Sequence, residues 1–302
     1  MAAAKVSHVE RTATEPRDKS LHTVVLAEVN EINDQIRLFR LELSTPLRFL
    51  PGQWLDVYVP GVSKAGGYTI TSPPSKARPS ASSEDPGYVE LAVQKSPDPP
   101  AAWLWQDPDV ITYAELRVRV GGSFVWPPPG VNIRGPPLRR AVFVAGGVGV
   151  NPLMSILSSL AEGRGSAAPF EVQVLYSLKD DNNNNNNNGG SRQAGRLLFL
   201  DRIAKIFREG RLTGGLQLFL TGGEGTDGAV SSPEGGDVVP FRARRMTVDD
   251  VAAAVGDTAE RRFAVVYICG VPTMTDEFVQ KLTDPQQGLG MEPHRVLCEK
   301  WW

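Results

Sequence analysis

The sequence predicts two domains, an antiparallel β-barrel followed by an α/β domain built on a parallel sheet, and three observations lead there. A length of 302 residues suits two domains at roughly 100–200 residues each. Up to Val120, short runs of β-favouring residues are set apart by Pro, Gly and Ser, the spacing of a sandwich or barrel. Beyond Leu138 the runs alternate between strand and helix, as in a parallel sheet with helices on its faces. Apolar residues make up 41% and charged residues 22%, a globular balance that leaves room only for local disorder.

Residues 1–20 read as a flexible arm, because Glu10, Glu15 and Asp18 interrupt its basic residues and it lacks the apolar block of a secretory signal. The first domain occupies 21–130. Its opening strands, 23–29 and 36–43, flank the polar stretch 31–35 as a hairpin, and further strands follow at 54–59, 68–71, 88–93 and 116–120. The segments Trp126-Pro127-Pro128-Pro129-Gly130 and Gly135-Pro136-Pro137 break both helix and sheet and mark the boundary. In the second domain, 138–302, strand 141–145 leads to helix 152–160, strand 172–176 to helix 197–207, and strand 263–269 to helix 273–282, with a strand at 216–220 between. Residues 181–192 are mostly asparagine, have nothing apolar to bury, and read as a disordered insertion. Residues 222–237 form a second polar, Gly-rich excursion.

Composition removes several functions. Lys and Arg total 32 against 34 for Asp and Glu, a net charge of −2, so no basic excess exists to neutralise a nucleic acid. The apolar run 141–160 is interrupted by Gly146, Gly147, Gly149, Asn151 and Pro152, which argues against a membrane span. Two cysteines, Cys269 and Cys298, cannot form a disulfide framework, a structural zinc site or a four-thiolate cluster. A reducing compartment, cytoplasm or mitochondrial matrix, is expected, and redox chemistry would need a borrowed cofactor. His8, His22 and His294 are scattered, so neither a metal site nor a nucleophilic hydrolase is read.

The richest segment is Val142-Phe143-Val144-Ala145-Gly146-Gly147-Val148-Gly149-Val150-Asn151-Pro152. A buried strand runs into a glycine turn, and Asn151 is expected to cap a helix with Pro152 at its first position. Free N–H groups and the helix dipole make such a turn an anion site, with Gly149 admitting a pyrophosphate; a tight turn using glycine for geometry alone is the other reading. Tyr267-Ile268-Cys269-Gly270-Val271-Pro272-Thr273-Met274 repeats the pattern, with Thr273 and Asp276 as a capping pair. It sets Cys269 at a strand's carboxyl end, where ligands sit in open α/β sheets, although an isolated cysteine is more often a small buried apolar residue. The terminal Trp301-Trp302 would expose a large apolar surface unless it covered a planar cofactor, the protein's own core or a partner.

In the first domain Pro51-Gly52-Gln53-Trp54 leads to Gly66-Gly67-Tyr68-Thr69-Ile70-Thr71-Ser72-Pro73. Taken in order with the three motifs above, this resembles the ferredoxin–NADP reductase superfamily. The resemblance is closest to the oxidoreductase NAD-binding domain-containing branch, through residues 118–124, 145–155, 176–179, 269–276 and 299–302. It spans 21–302 apart from the asparagine insertion, and implies a flavin-binding barrel before a nucleotide-binding domain.

The family's Arg-x-Tyr-Ser/Thr motif falls on Gly66, Tyr68 and Thr69, so the resemblance implies that Tyr68 meets the ribityl chain and ring of FAD and that Thr69 bonds the N5 edge, with Ile70 and Thr71 beside them. The glycine loop, Gly146, Gly147, Val148, Gly149, Val150, Asn151 and Pro152, would hold the NADH or NADPH pyrophosphate, and Ser177, Lys179 and Thr221 would line the same dinucleotide. Cys269, Gly270, Pro272 and Met274 would shape the nicotinamide pocket, Glu299 would sit near the reacting rings, and Trp301 or Trp302 would stack on the flavin. Two departures stand out. Gly66 replaces the arginine that binds the flavin phosphate, and Pro99-Pro100-Ala101-Ala102 replaces the Gly-x-x-Ser loop at the pyrophosphate, with Lys95 or Arg119 as substitutes.

For the coenzyme, Glu224 after the strand at 216–220 would hydrogen-bond a ribose hydroxyl and repel a phosphate, which favours NADH. Lys179 and the run Arg242, Arg244, Arg245 point the other way, unless that run is solvated surface. The implied function is a flavin-dependent NAD(P)H oxidoreductase that passes hydride to FAD and electrons to a separate acceptor, a small molecule or a redox protein. The rival is an NAD(P)-binding sensor or interaction protein on a reductase scaffold that has lost tight flavin binding.

Overall fold

The computed structural model describes residues 7–79, 86–131, 138–163, 168–179, 194–222, 225–231 and 238–300. Contacts divide the chain into two units, Met1–Trp126 with Met154–Ser159, and Pro127–Leu153 with Leu160–Trp302.

The first unit opens on a single helical turn, α1 (His8–Arg11), closed by a capping box between Ser7 and Glu10. Six strands follow: β1 (His22–Asn33), β2 (Ile36–Leu43), β3 (Trp54–Tyr58), β4 (Gly66–Thr69), β5 (Gly87–Gln94) and, after the short helices α2 (Pro99–Leu104) and α3 (Pro108–Ile111), β6 (Glu115–Gly121). All pairings are antiparallel, in the order β4-β3-β6-β1-β2-β5. The barrel expected from the sequence is present as a barrel-like sheet that does not close: one isolated bridge, Ile70 to Leu91, is the pairing recorded between its two ends. Alternation decides the core. Leu55, Val57, Val118 and Val120 face inward with Leu26, Phe39, Leu41 and Leu91, while Asp56 and Arg119, one residue out of step, face the other way.

That other face corrects the flexible arm. Described residues from 7 to 20 are tied down, with Arg17 bridged to Gly121, the Asp18 N–H donating to the Val120 carbonyl and the Gly122 N–H to the Pro16 carbonyl. The reason is a carboxylate. Asp56 is fully buried and accepts from Arg119 (2.7 and 2.9 Å) and Arg17 (3.0 Å), with His8 Nε2 at 3.1 Å. Arg17 also stacks on the Trp54 ring, 4.8 Å from its centroid. Burial pushes the Asp56 acid up, but hydrogen bonds from His8, Arg119 and Arg17 outweigh it and hold the group below the usual carboxylate range. An arm read as polar and unattached thus carries the cations that a buried acid requires.

The second unit is a seven-stranded sheet of order β10-β11-β9-β8-β7-β12-β13. Its members are β7 (Arg140–Gly146), β8 (Glu171–Lys179), β9 (Gly214–Thr221), β10 (Gly228–Ser231), β11 (Val238–Arg242), β12 (Ala264–Gly270) and β13 (Val296–Lys300). Every pairing is parallel except β10 with β11. Helices α4 (Val150–Ala161), α5 (Leu200–Arg208), α6 (Val248–Val255) and α7 (Pro272–Thr283) connect them. The hairpin β10–β11 falls partly in the stretch read as an excursion, and α6 has no counterpart in the sequence reading. Its capping box, Thr247 with Asp250, was there to be read. The asparagine insertion at 181–192 lies outside the described residues.

Two helix starts differ from expectation. α4 begins earlier than Asn151, after a 3₁₀ turn over Gly147–Gly149, with Gly149 as N-cap and no side-chain cap. α7 is capped by Val271 with Pro272 in its first turn, and Thr273 lies inside the helix. Fixed φ at Pro272 does the work that Thr273 was expected to do.

Candidate functional site

Sheet order selects the place in the second unit. From β7 the chain builds outward through β8 and β9, then returns to add β12 and β13 on the other side, so the order reverses between β7 and β12. In open α/β sheets ligands bind beyond the carboxyl ends of the strands at such a reversal. Those ends carry Gly146 on β7, Ser177 and Lys179 on β8, Thr221 on β9, Cys269 and Gly270 on β12, and Glu299 on β13. Register aligns them: Gly146 lies opposite Ser177, Lys179 opposite Thr221, and Cys269 opposite Glu299. Most of the sequence-predicted nucleotide residues therefore share one sheet edge.

Within that edge the glycines divide the labour. Gly147 has φ +56°, a left-handed conformation that favours glycine, and a Cβ there would meet nothing within 4 Å. It faces open space. Gly149 is different, because a Cβ would collide with the Cys269 carbonyl; the glycine at 149 is required by the packing of the turn on β12, whatever the ligand. Met274 lies across Gly146 and Gly270, its Sδ 3.1 Å from where a Cβ of Gly146 would be. Gly146, Gly147 and Val148 are partly exposed, whereas Gly149, Val150, Asn151 and Pro152 are buried. Access is thus to the turn and to the start of α4, which no side chain caps and whose dipole attracts an anion.

Cys269 is completely buried in a strand with no exposed residue, in keeping with a small apolar core residue whose backbone shapes the edge. Glu299 is held in place through its neighbour, since Lys300 pairs with Asp276 of α7 at 2.5 Å. Trp301, Trp302 and Glu224 lie outside the described residues. Two of the three arginines offered for a 2′-phosphate are engaged: Arg242 and Arg244 both bind Asp250 (2.8 and 2.7 Å), and both lie over the Phe219 ring. Hydrogen bonding from Arg244 drives the Asp250 acid far below its ordinary value.

In the first unit the site is β4. Thr69 is 1% exposed, and its Oγ1 is buried without a hydrogen-bond partner; the same holds for the neighbouring Tyr68 Oη. A buried hydroxyl left unpaired costs about 1–3 kcal/mol, and two in succession on an edge strand call for a ligand to complete them. Burial, reinforced by the Asp98 charge, pushes the Tyr68 phenol well up, so it stays a neutral donor. Ile70 is core, and Thr71 is already spent on Glu90, donating to its carbonyl at 3.0 Å and its carboxylate at 2.8 Å. The ring-and-ribityl end of a flavin, rich in hydrogen-bonding edges, fits the pair Tyr68 and Thr69.

No family model matches the chain. A zebrafish (Danio rerio) protein named oxidoreductase NAD-binding domain-containing protein 1 is 30% identical over 305 residues, covering 99% of this chain and 98% of that one. The chain belongs to that family. A human member is 28% identical over 308 residues, covering 99% of this chain and 85% of its own length. Among solved structures, the Amycolatopsis cytochrome P450 reductase GcoB superposes with a TM-score of 0.64 at 22% identity, covering 95% of this chain and 70% of that one. A ferredoxin NADP⁺ reductase from Neisseria gonorrhoeae, solved with bound FAD and NADP, gives 0.61 at 14% identity, covering 94% of this chain and 100% of that one. The chain thus has the two-domain fold of ferredoxin–NADP reductase-like proteins. Among the described residues no helix is long and apolar enough to cross a membrane.

Proposed function

We propose that the chain is an NAD(P)H-dependent flavin oxidoreductase, with a dinucleotide on the second unit and a flavin on the first. The observation that carries this reading is the pair of adjacent, buried, partnerless hydroxyls at Tyr68 and Thr69. Flavin, when bound, supplies a ring that accepts hydride and passes electrons on singly or in pairs to an acceptor. Thr69 Oγ1 holds the N5 edge, and Tyr68 Oη, kept protonated by burial, donates to the ribityl chain. On the second unit, the turn at Gly147 and the uncapped start of α4 take the nucleotide phosphates. Ser177, Lys179 and Thr221 line the dinucleotide, Cys269, Gly270, Pro272 and Met274 shape the nicotinamide side, and Glu299 with Trp301 or Trp302 completes it. With Arg242 and Arg244 held by Asp250, the balance favours NADH.

The test is anaerobic titration of the flavin-supplemented protein with NADH and, separately, NADPH. Bleaching of the flavin bands is expected, at lower concentrations of NADH. Thr69→Val is expected to slow bleaching roughly tenfold or more, as loss of a charge-orienting hydrogen bond would. Nucleotide binding with no flavin binding would leave the sensor reading in its place.

A further inference from the structure

A flavin nucleotide has two ends that make different demands, and the surroundings of Tyr68 meet those of one. The partnerless hydroxyls of Tyr68 and Thr69 suit the neutral hydrogen-bonding edges of ring and ribityl chain. A phosphate needs cations or free N–H groups. At Gly66 the space for a side chain is filled by the Tyr68 ring, whose Oη would lie 2.6 Å from a Cβ. Helix α2, which packs beside β4, opens with Pro99 and Pro100, and neither carries an N–H. The Ala102 N–H is already given to the Asp98 carbonyl at 2.8 Å. Asp98 itself stands exposed at this helix start, makes no side-chain capping bond, and lies close enough to act on Tyr68.

Three cations of the first unit are engaged elsewhere. Arg119 is bound to the buried Asp56 carboxylate at 2.7 Å. Lys95 lies over the Trp105 ring, 5.2 Å from its centroid. Arg40 is shared by Glu28 and Glu42.

We propose that the protein takes flavin as an exchangeable substrate, recognised by its ring and ribityl chain, so that riboflavin, FMN and FAD bind alike. This rests on the flavin reading above. In the turnover that follows, the nicotinamide gives up a hydride, the flavin takes it together with one proton from solvent, and oxidised nicotinamide and dihydroflavin both leave. The reduced flavin is then the carrier to whatever acceptor lies downstream.

Dissociation constants of the full-length protein for riboflavin, FMN and FAD, read by quenching of flavin fluorescence, test the proposal without turnover. Expected are three values within tenfold of one another, and loss of the yellow colour on gel filtration. FAD binding more than tenfold tighter than riboflavin would overturn the proposal and leave the oxidoreductase reading standing, since an arginine–phosphate contact alone is worth roughly tenfold to a hundredfold. Absence of binding by all three would overturn the flavin reading itself. Asp98→Lys supplies a second arm: FMN and FAD are expected to tighten roughly threefold to tenfold, with riboflavin unchanged. Equal shifts for all three flavins would remove Asp98 from the argument and with it the proposal.

Discussion

Within one strand pair, β3–β4, buried polar atoms are treated in opposite ways. Asp56 on β3 receives hydrogen bonds or ion pairs from Arg119, Arg17 and His8, two of which come from a segment forty or so residues earlier in the chain. Tyr68 and Thr69 on β4 bury hydroxyls that bond to nothing. The contrast separates two roles: a buried acid ringed by cations holds the fold together, and on the reading proposed above the unpaired hydroxyls of Tyr68 and Thr69 are kept for a ligand.

Breaking the satisfied side should have the largest effect. Asp56→Ala leaves the guanidinia of Arg119 and Arg17 facing each other in a buried site, and is expected to lower stability by about 3–5 kcal/mol in denaturant titration. Flavin affinity at temperatures where the variant is folded should be nearly unchanged, and a parallel collapse of both would erase the distinction. Arg17→Ala should cost about 1.5–3 kcal/mol, and in addition expose residues 7–20 to limited proteolysis while the rest of the chain stays resistant.

On the unsatisfied side the sign reverses. Thr69→Val keeps the shape and removes an unpaired hydroxyl, so the flavin-free protein is expected to gain about 1 kcal/mol while flavin binding weakens. Loss of stability in the flavin-free variant would mean that Thr69 Oγ1 has a structural partner after all. The smallest effect is one of pH. Because the Asp56 acid is held below its ordinary value in the folded protein, the stability it contributes is fully present above the ordinary carboxylate pKa of about 4 and fades as pH falls through the folded value. An acid-unfolding curve that is flatter for Asp56→Asn than for the parent below about pH 4 is the expected result.

Legibility followed the range of the interactions. The strands of both sheets and the two glycine turns are written in local patterns of apolar residues, prolines and glycines, and β2 has the bounds that its run of β-favouring residues predicts. The docking of residues 7–20 could not be read locally, because its cause is an acid at Asp56 whose burial depends on register across three strands. Similarly, Gly149 looked like a ligand glycine in sequence, and the Cys269 carbonyl that demands it lies 120 residues away in the chain. For the candidate site, motif order proposed Tyr68, Thr69 and the strand-end residues, while the commitments of Arg119, Lys95, Arg242 and Arg244 to other partners appeared only in three dimensions.

The burial of Cys269 has a practical consequence. Its thiol lies in a strand closed to solvent, whereas Cys298, on the neighbouring edge strand, is exposed. One chain therefore carries an accessible and a closed thiol in adjacent strands. An alkylating reagent, slowed at Cys298 by the partial burial that pushes its thiol up, would still count it first and Cys269 only as often as the sheet opens, so that two mass increments separated in time serve as an internal clock for the second unit's unfolding.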